Sequence, residues 1–316
     1  MNDRTEADRP AIDWRRGRRT AVLCVLYAAA LLAHPLLPNG AGNSGSLVET
    51  FLPWSALAAG PLLLLALVRR APLAAGAALL PALAWLALFG EELSDKRERG
   101  GELTVVSHNV GASNPDPAAT ARALAATGAQ VIAVQELSDA AREPFRRALP
   151  SRYRHHTVQG GVGLWSTYGM TSSAPVDIMP WPRALRATLT TPKGPVTVFV
   201  AHLASVRVTP ESGFTTDRRD TAAALLTEAV ARGATERTLL LGDFNGTPHD
   251  RALAPLRRGW TSAQESAGDG FGFTWPARFP MARIDHILAR GIAPVSARTL
   301  PKTGSDHLPV SASFAL

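Results

Sequence analysis

Cysteine is almost missing from this chain: Cys24 is the only one in 316 residues, and it lies inside an apolar run. No intrachain disulfide can form, so the C-terminal two-thirds must be held by a core, which it is long enough to build. Lysine is scarce as well, with Lys96, Lys193 and Lys302 the only three among 33 basic residues. A net charge of +7 invites a nucleic-acid reading. However, the C-terminal region has no basic run, and arginine alongside abundant Ala, Gly and Pro reads as codon bias of a GC-rich genome. Charge alone therefore assigns no partner. There is no internal repeat and no low-complexity segment.

Residues 20–90 are nearly free of charge. Three apolar runs, Thr20–Leu37, Leu47–Val68 and Ala71–Phe89, contain no Asp, Lys or Arg, and their single acid is Glu49. Each is about as long as a membrane-spanning helix of roughly 17–25 residues. A cleaved signal peptide would not be followed by two further runs of this kind. The expectation is three transmembrane helices, with Pro35, Pro53, Pro61, Pro72 and Pro81 blurring their ends. Arg15, Arg16, Arg18 and Arg19 precede the first run and Arg69 and Arg70 follow the second, whereas Pro38–Ser46 is uncharged. Positive residues favour the cytoplasmic side, which places the C-terminal domain outside. The expected organisation is a cytoplasmic basic N-terminus at 1–19, a membrane anchor at 20–90, a linker at 91–102 and a domain at 103–316.

Within that domain, apolar runs at Leu103–His108, Val131–Gln135, Gly161–Ser166, Ala187–Thr191, Val196–Ala201, Thr238–Gly242, Ile284–Ala289 and Pro309–Phe314 read as strands. Ala118–Thr127, capped by Asn114 or Asp116 and stopped by Gly128, reads as a helix, as do Ala140–Leu149 and Asp217–Ala231. Many strands with few crossover helices imply packed sheets covered by helices.

Polar groups gather at the strand ends. Asn109, Glu136, His202, Asp243 with Asn245, Asp285, and Asp306 with His307 each adjoin an apolar strand. Strand ends are rigid, so side chains from separate strands can converge on one site. Taken singly, Glu136 or Asp285 is a solvated strand end, His202 a hydrogen-bonded core histidine, and Asn245 before Gly246 a turn. The ordered set is what independent turns do not generate. His155 and His156 read as exposed loop residues.

In order, the segments are Ser-His-Asn109-Val, Val-Gln-Glu136-Leu, Ala-His202-Leu, Gly-Asp243-Phe-Asn245, Arg-Ile-Asp285-His-Ile and Gly-Ser-Asp306-His307-Leu-Pro-Val. This series resembles the endonuclease/exonuclease/phosphatase superfamily over essentially all of 101–316. Its most specific parts are Gly-Asp-Phe-Asn and Ser-Asp-His-Leu-Pro-Val. The resemblance implies an α/β fold, a four-layer sandwich of two mainly antiparallel sheets flanked by helices.

A phosphate ester is anionic and repels nucleophiles, so a divalent cation and cationic donors must neutralise it. The resemblance implies Glu136 as a ligand for Mg2+ or Mn2+, Asn109 beside that ion and Asp306 contributing, directly or through water. It implies Asp285 and His307 as a carboxylate–imidazole pair, Asp243 and Asn245 flanking the phosphorus, and His202 stabilising a phosphate oxygen or the leaving group. No certain counterpart exists for the extra carboxylate that supports the first histidine in DNase I. The domain is also small for the fold, with little room for loops that grip DNA.

The joining of membrane helices to such a domain is similar to the VanJ-type teicoplanin-resistance membrane proteins of actinomycetes. That similarity implies work at the outer membrane face on a lipid-linked diphosphate such as undecaprenyl diphosphate, with the membrane as partner and nucleic acid not favoured. An exported nuclease, a sphingomyelinase-like phosphodiesterase and a non-catalytic binding module stand as alternatives.

Overall fold

The computed structural model describes residues 17–40, 42–209 and 211–316, and the expected cytoplasmic segment before residue 17, with Arg15 and Arg16, lies outside them. The chain divides into two compact units. One comprises the described residues up to Leu37 together with Phe51–Glu91; the other takes in Pro38–Thr50 as well as Glu92–Leu316.

In the first unit the helices are Arg18–Leu32, Ala56–Val68, Pro72–Ala77 and Leu79–Phe89. Small residues allow close packing: Ala66, Ala71 and Ala74 form a buried cluster. Leu57, Leu64, Leu67 and Leu83 point outward. Two helical stretches, Ser44–Val68 and Pro72–Leu93, are long and apolar enough to cross a membrane. Among the described residues only those two reach that length: the helix of the first apolar run stops at Leu32, and a 3-10 turn, His34–Leu36, follows. Pro35 explains the stop, since the residue before a proline is driven from the helical region and proline has no N–H to donate.

The strands of the second unit are β1 (Leu103–Asn109), β2 (Val131–Gln135), β3 (His155–Gln159), β4 (Val162–Ser166), β5 (Gly169–Pro175), β6 (Ala184–Thr191) and β7 (Gly194–His202), then β8 (Arg207–Thr209), β9 (Gly213–Thr215), β10 (Thr238–Asp243), β11 (Thr261–Ser262), β12 (Asp285–Arg290), β13 (Ala293–Thr299) and β14 (Val310–Ala315). One sheet has the order β13-β14-β1-β2-β4-β3, the other β11-β12-β10-β7-β6-β5, and β8 and β9 form a separate hairpin. Alternation along the strands builds the layers. Val105, Val131, Val198, Leu239 and Leu241 fill the space between the sheets. Their neighbours Val106, Ile132 and Val134 pack outward with Leu124 and Phe145. On the other side Phe199 and Leu240 pack with Leu226 and Val230. Both faces of each central strand are thus buried, which is why these strands read as continuous apolar runs. The result is the expected helix–sheet–sheet–helix sandwich.

Two parallel pairings, β1 with β2 and β7 with β10, need crossovers, supplied by the helices Pro117–Ala126 and Asp217–Gly233. Asp116, rather than Asn114, caps the first of these, accepting from the Ala119 amide at 2.8 Å. Of the outer strands, β5 is largely exposed and β3 and β13 are mostly half-buried; all carry little apolar alternation, so they leave almost no trace in sequence. His155 and His156 accordingly lie in β3 rather than a loop, with His156 stacked on Trp165 at 5.9 Å. The stretch expected as a linker is also tied down. Lys96 N donates to Gly268 O at 3.0 Å, Glu98 N to Val295 O at 2.9 Å and Glu102 N to Phe314 O at 2.7 Å.

Candidate active site

Strand register assembles the site before any side chain is considered. His202 at the end of β7 lies opposite Asp243 at the end of β10, and Asp243 lies opposite Asp285 at the start of β12. Three expected residues therefore form one row across adjacent strands. On the other sheet Asn109 pairs with Gln135, so Glu136 is the first residue beyond β2. The sheets are joined here by Asn109 Nδ2 donating to Asp243 Oδ2 at 2.9 Å. Ser305 completes the join: its hydroxyl donates to Asn109 O at 2.7 Å and accepts from His307 N at 3.1 Å.

Two residues hold unusual backbone. Glu136 has φ 56° and Asn245 φ 48°, the left-handed region that costs a non-glycine residue roughly 1–3 kcal/mol. Each is held by a specific bond. Ala112 N donates to Glu136 Oε2 at 3.1 Å, Asn245 N to Asp243 Oδ1 at 2.9 Å, and Asn245 Nδ2 to Leu203 O at 3.0 Å. Both positions turn polar side chains toward this edge from just beyond the ends of apolar strands.

Burial sets the charges. His307 Nδ1 and Asp285 Oδ2 are 2.8 Å apart, and His307 Nε2 lies 3.8 Å from Asp243 Oδ2. Burial alone would depress His307, but the Asp285 and Asp243 carboxylates override it and push the imidazole up to about 10. Burial tends to raise Asp285 too, yet the His307 cation wins and holds it below the usual carboxylate value. Asp243 goes the other way: burial, helped by Asp285 and opposed by His307, lifts it to about 7. His202 is pushed down to about 3 by burial and by the Arg183 and His307 cations, so it is neutral at ordinary pH. Its Nε2 is buried without a hydrogen-bond partner, 3.5 Å from Glu136 Oε1 and 3.7 Å from Asp243 Oδ2.

Every expected site residue lies at this edge, but not equally deep. Asp243 and Asp285 are buried, whereas the Glu136 side chain is 28% exposed. Asp306 stands apart from the buried knot; it is exposed, accepts from Trp275 Nε1 at 3.3 Å, and lines with Glu136 an open cleft of about 900 Å³. Donor atoms of Asp243, Asp285 and His307 lie within 4.8 Å of one another, close enough to bridge a cation.

Arg183 was missed by sequence reasoning. It precedes β6, is half-buried, and donates through Nη1 to Leu203 O at 3.3 Å. Burial lowers its pKa while the Glu136 and Asp243 carboxylates raise it, which places its charge beside both. In a chain rich in arginine, nothing local distinguishes it. Thr274, whose hydroxyl accepts from Asp285 N at 3.4 Å, carried no signal either.

No curated protein sequence matches the chain. Its fold is similar to that of a mannosyl-6-phosphatase from Bacteroides thetaiotaomicron (TM-score 0.57, 16% identity, covering 68% of this chain and 100% of that one). It is similar as well to TDP2 from D. rerio, solved with a single-strand DNA product (TM-score 0.57, 18% identity, 68% and 99% covered). A third likeness is to the beta toxin of Staphylococcus aureus (TM-score 0.53, 14% identity, 67% and 99% covered). These likenesses establish the fold. The sequence pattern of the Endonuclease/Exonuclease/phosphatase family, whose members are generally hydrolases and typically need a divalent metal, matches residues 106–307, a stretch that runs from β1 to His307 and holds the whole buried row. By that match and by its two-sheet fold, this chain belongs to the endonuclease/exonuclease/phosphatase family.

Proposed function

We propose that this chain is a membrane-anchored, divalent-metal-dependent phosphoesterase that works at the extracytoplasmic face on a phosphate or diphosphate ester held in the membrane. The observation carrying the catalytic part is electrostatic: Asp243, lifted to about 7, sits beside His307, held protonated by Asp285. A carboxylate near neutrality is suited to accept a proton from an attacking water. A buried imidazolium is suited to stabilise charge on a non-bridging phosphate oxygen. Asn245 and Arg183 add donors, and neutral His202, with its unpartnered Nε2, donates to a phosphate oxygen or the departing group. Such a row of buried, oppositely shifted acids and imidazole favours a catalyst over a binding module.

The donor chemistry fits the family's metal. Glu136 and Asp306 are oxygen donors on an open cleft, and Asn109 is paired with Gln135, the residue before Glu136, which suits an ion that takes one or two carboxylates and keeps several waters. Bound there, Mg2+ or Mn2+ would neutralise phosphate charge and polarise the ester. The Asp243–Asp285–His307 set suits Mg2+ or Mn2+ less well, because His307 Nδ1 is already engaged with Asp285 and an imidazole ligand favours Zn, Cu, Fe or Ni.

Three considerations support the anchoring. Pro38–Thr50 and Glu92–Leu316 belong to one compact unit, so an even number of crossings must separate them, and the two apolar helical stretches supply two. The helix Arg18–Leu32 with its 3-10 turn reaches about 28 Å, close to the hydrocarbon thickness, and as a third span it puts Arg18 and Arg19 on the side of Arg69 and Arg70. The architecture is similar to that of VanJ-type proteins. This favours a lipid-linked diphosphate such as undecaprenyl diphosphate, and a role in envelope response or teicoplanin resistance.

The test is phosphate release from undecaprenyl diphosphate in vesicles, beside soluble phosphoesters and single-stranded DNA, comparing wild type with Glu136→Ala. Metal-dependent release from the lipid, lost in the variant, is expected. Efficient DNA cleavage without lipid turnover would replace this reading with an exported nuclease.

A further inference from the structure

Glu49, the one acid in the apolar runs, is buried, and its partners belong to the catalytic unit. Its carboxylate accepts from Arg251 three times: from Nη2 at 2.7 Å and Nε at 3.0 Å on Oε1, and from the backbone N at 3.1 Å on Oε2. Its carbonyl accepts from Thr247 Oγ1 at 3.3 Å. One turn earlier, the buried Ser46 hydroxyl reaches Asp250 Oδ1 at 3.5 Å. Earlier still, Gly42 O accepts from Phe214 N at 3.0 Å and Asn43 Nδ2 donates to Phe214 O at 2.8 Å. That approach needs glycine at 213, since a Cβ there would lie 2.5 Å from Gly42 Cα.

These contacts lead to the site. Asp250 is fully buried and ion-paired with the equally buried Arg219, whose Nη1 donates to Asn245 O at 3.1 Å. Asn245 is the strained residue that caps Asp243. Gly246 permits the approach, because a Cβ there would meet Arg219 Nη1 at 2.7 Å. A buried, charge-assisted chain thus runs from the connector between the first two apolar runs, through Asp250 and Arg219, to the carbonyl of a site residue. Glu49 braces the same loop four residues beyond Thr247 by clamping Arg251.

We infer that Pro38–Thr50 is a built-in part of the active site, with Glu49, Ser46, Asp250 and Arg219 as positioning residues that hold the Asn245 loop in its strained form. This rests on the phosphoesterase reading only in taking Asn245 as catalytic. Breaking the Arg219–Asp250 pair would leave a buried charge uncompensated, and removing Glu49 would take its carboxylate from the half-buried Arg251, both at the base of that loop. One consequence is that the length and register of the chain entering the second apolar run are constrained by catalysis, and not merely by reach.

The test uses the full-length protein in detergent, with 4-nitrophenyl phosphate and bis(4-nitrophenyl) phosphate as probes. Glu49→Ala should lower kcat roughly 10- to 100-fold with KM almost unchanged, as expected when a catalytic group is misplaced by a fraction of an ångström to about 1 Å. In an Asn245→Ala background the same change should cost little more, because both act through one group. Glu49→Arg combined with Arg251→Glu should recover part of the loss. Independently of turnover, hydrogen exchange at residues 245–251 should quicken in Glu49→Ala while the strands of both sheets stay protected. Unchanged exchange in that loop, or losses that simply add in the Asn245→Ala background, would overturn the inference. A wild type inactive on every phosphoester would defeat the proposed function, and exchange would still decide this one.

Discussion

The two sheets contribute to the site in opposite ways. The first brings Glu136 to an open cleft, with its side chain more than a quarter exposed, next to Asn109. The second brings Asp243 and Asp285 to the same edge almost fully buried, in a row with His202. Identical chemistry, a carboxylate at a strand end, is thereby placed in two environments. A carboxylate open to solvent can share a hydrated cation without losing the waters that cation prefers. A carboxylate removed from water changes its proton affinity according to its neighbours, upward for Asp243 and downward for Asp285. Under the proposed function, depth, more than residue type, divides ligand from proton carrier.

The largest expected effect tests the cation side of that division. Chelation, or Glu136→Ala, should reduce hydrolysis by roughly 10³–10⁴, with Mg2+ or Mn2+ restoring only the chelated wild type. If Glu136→Ala keeps most activity while Asp243→Asn abolishes both turnover and metal binding measured by calorimetry, the ion sits in the buried trio and the division is reversed. On the proton side, Asp243→Asn, Asp285→Asn and His307→Ala should each cost about 10²–10³ in kcat. The Asp285→Asn, His307→Ala double variant should be scarcely worse than either single one, because the pair acts as a unit. Additive losses in steady-state kinetics would separate them.

A smaller effect, about 10-fold or somewhat more in kcat/KM, is expected for Arg183→Ala, with Arg183→Lys recovering only part because lysine lacks the planar fork. A phosphate-product inhibition constant unchanged in Arg183→Ala would remove this arginine from the site. The smallest effect concerns stability. His286 stacks on Phe244 at 4.9 Å, bonds Gly246 O at 2.9 Å, and is lowered by burial to about 4. Unfolding lets it bind a proton below its ordinary value near 6.5, so its contribution is whole above that pH and falls as pH drops towards 4. The slope is about 1.4 kcal/mol per pH unit for one such histidine. Thermal melts from pH 7 to pH 4.5 should fall less steeply for His286→Gln than for wild type; equal slopes would show that this histidine is not buried neutral.

Legibility in the sequence followed burial. Strands β1, β2, β4, β7, β10, β12 and β14 showed themselves because both of their faces are covered, whereas β3, β5 and β13 lie at sheet margins and carry no such run. The candidate site residues stood out for a related reason: a single polar group ending a continuous apolar strand is conspicuous. Arg183 ends no such run, and Arg219 and Asp250 look like ordinary surface charges on a helix and a turn, although both are buried. The first apolar run marked a membrane-length segment by composition, but Pro35 shortened its helix.

By itself, the sequence determined which residues could perform phosphoester chemistry, the alternation that layers the sandwich, and the apolar character of the N-terminal third. Those are local properties, written in residue type and spacing. Only the tertiary structure decided which carboxylate faces solvent and which is buried, because register and depth arise from strands far apart in the chain. The place of Glu49 was settled at that level as well. Its role depends on Arg251, two hundred and two positions away, and no local pattern links the two.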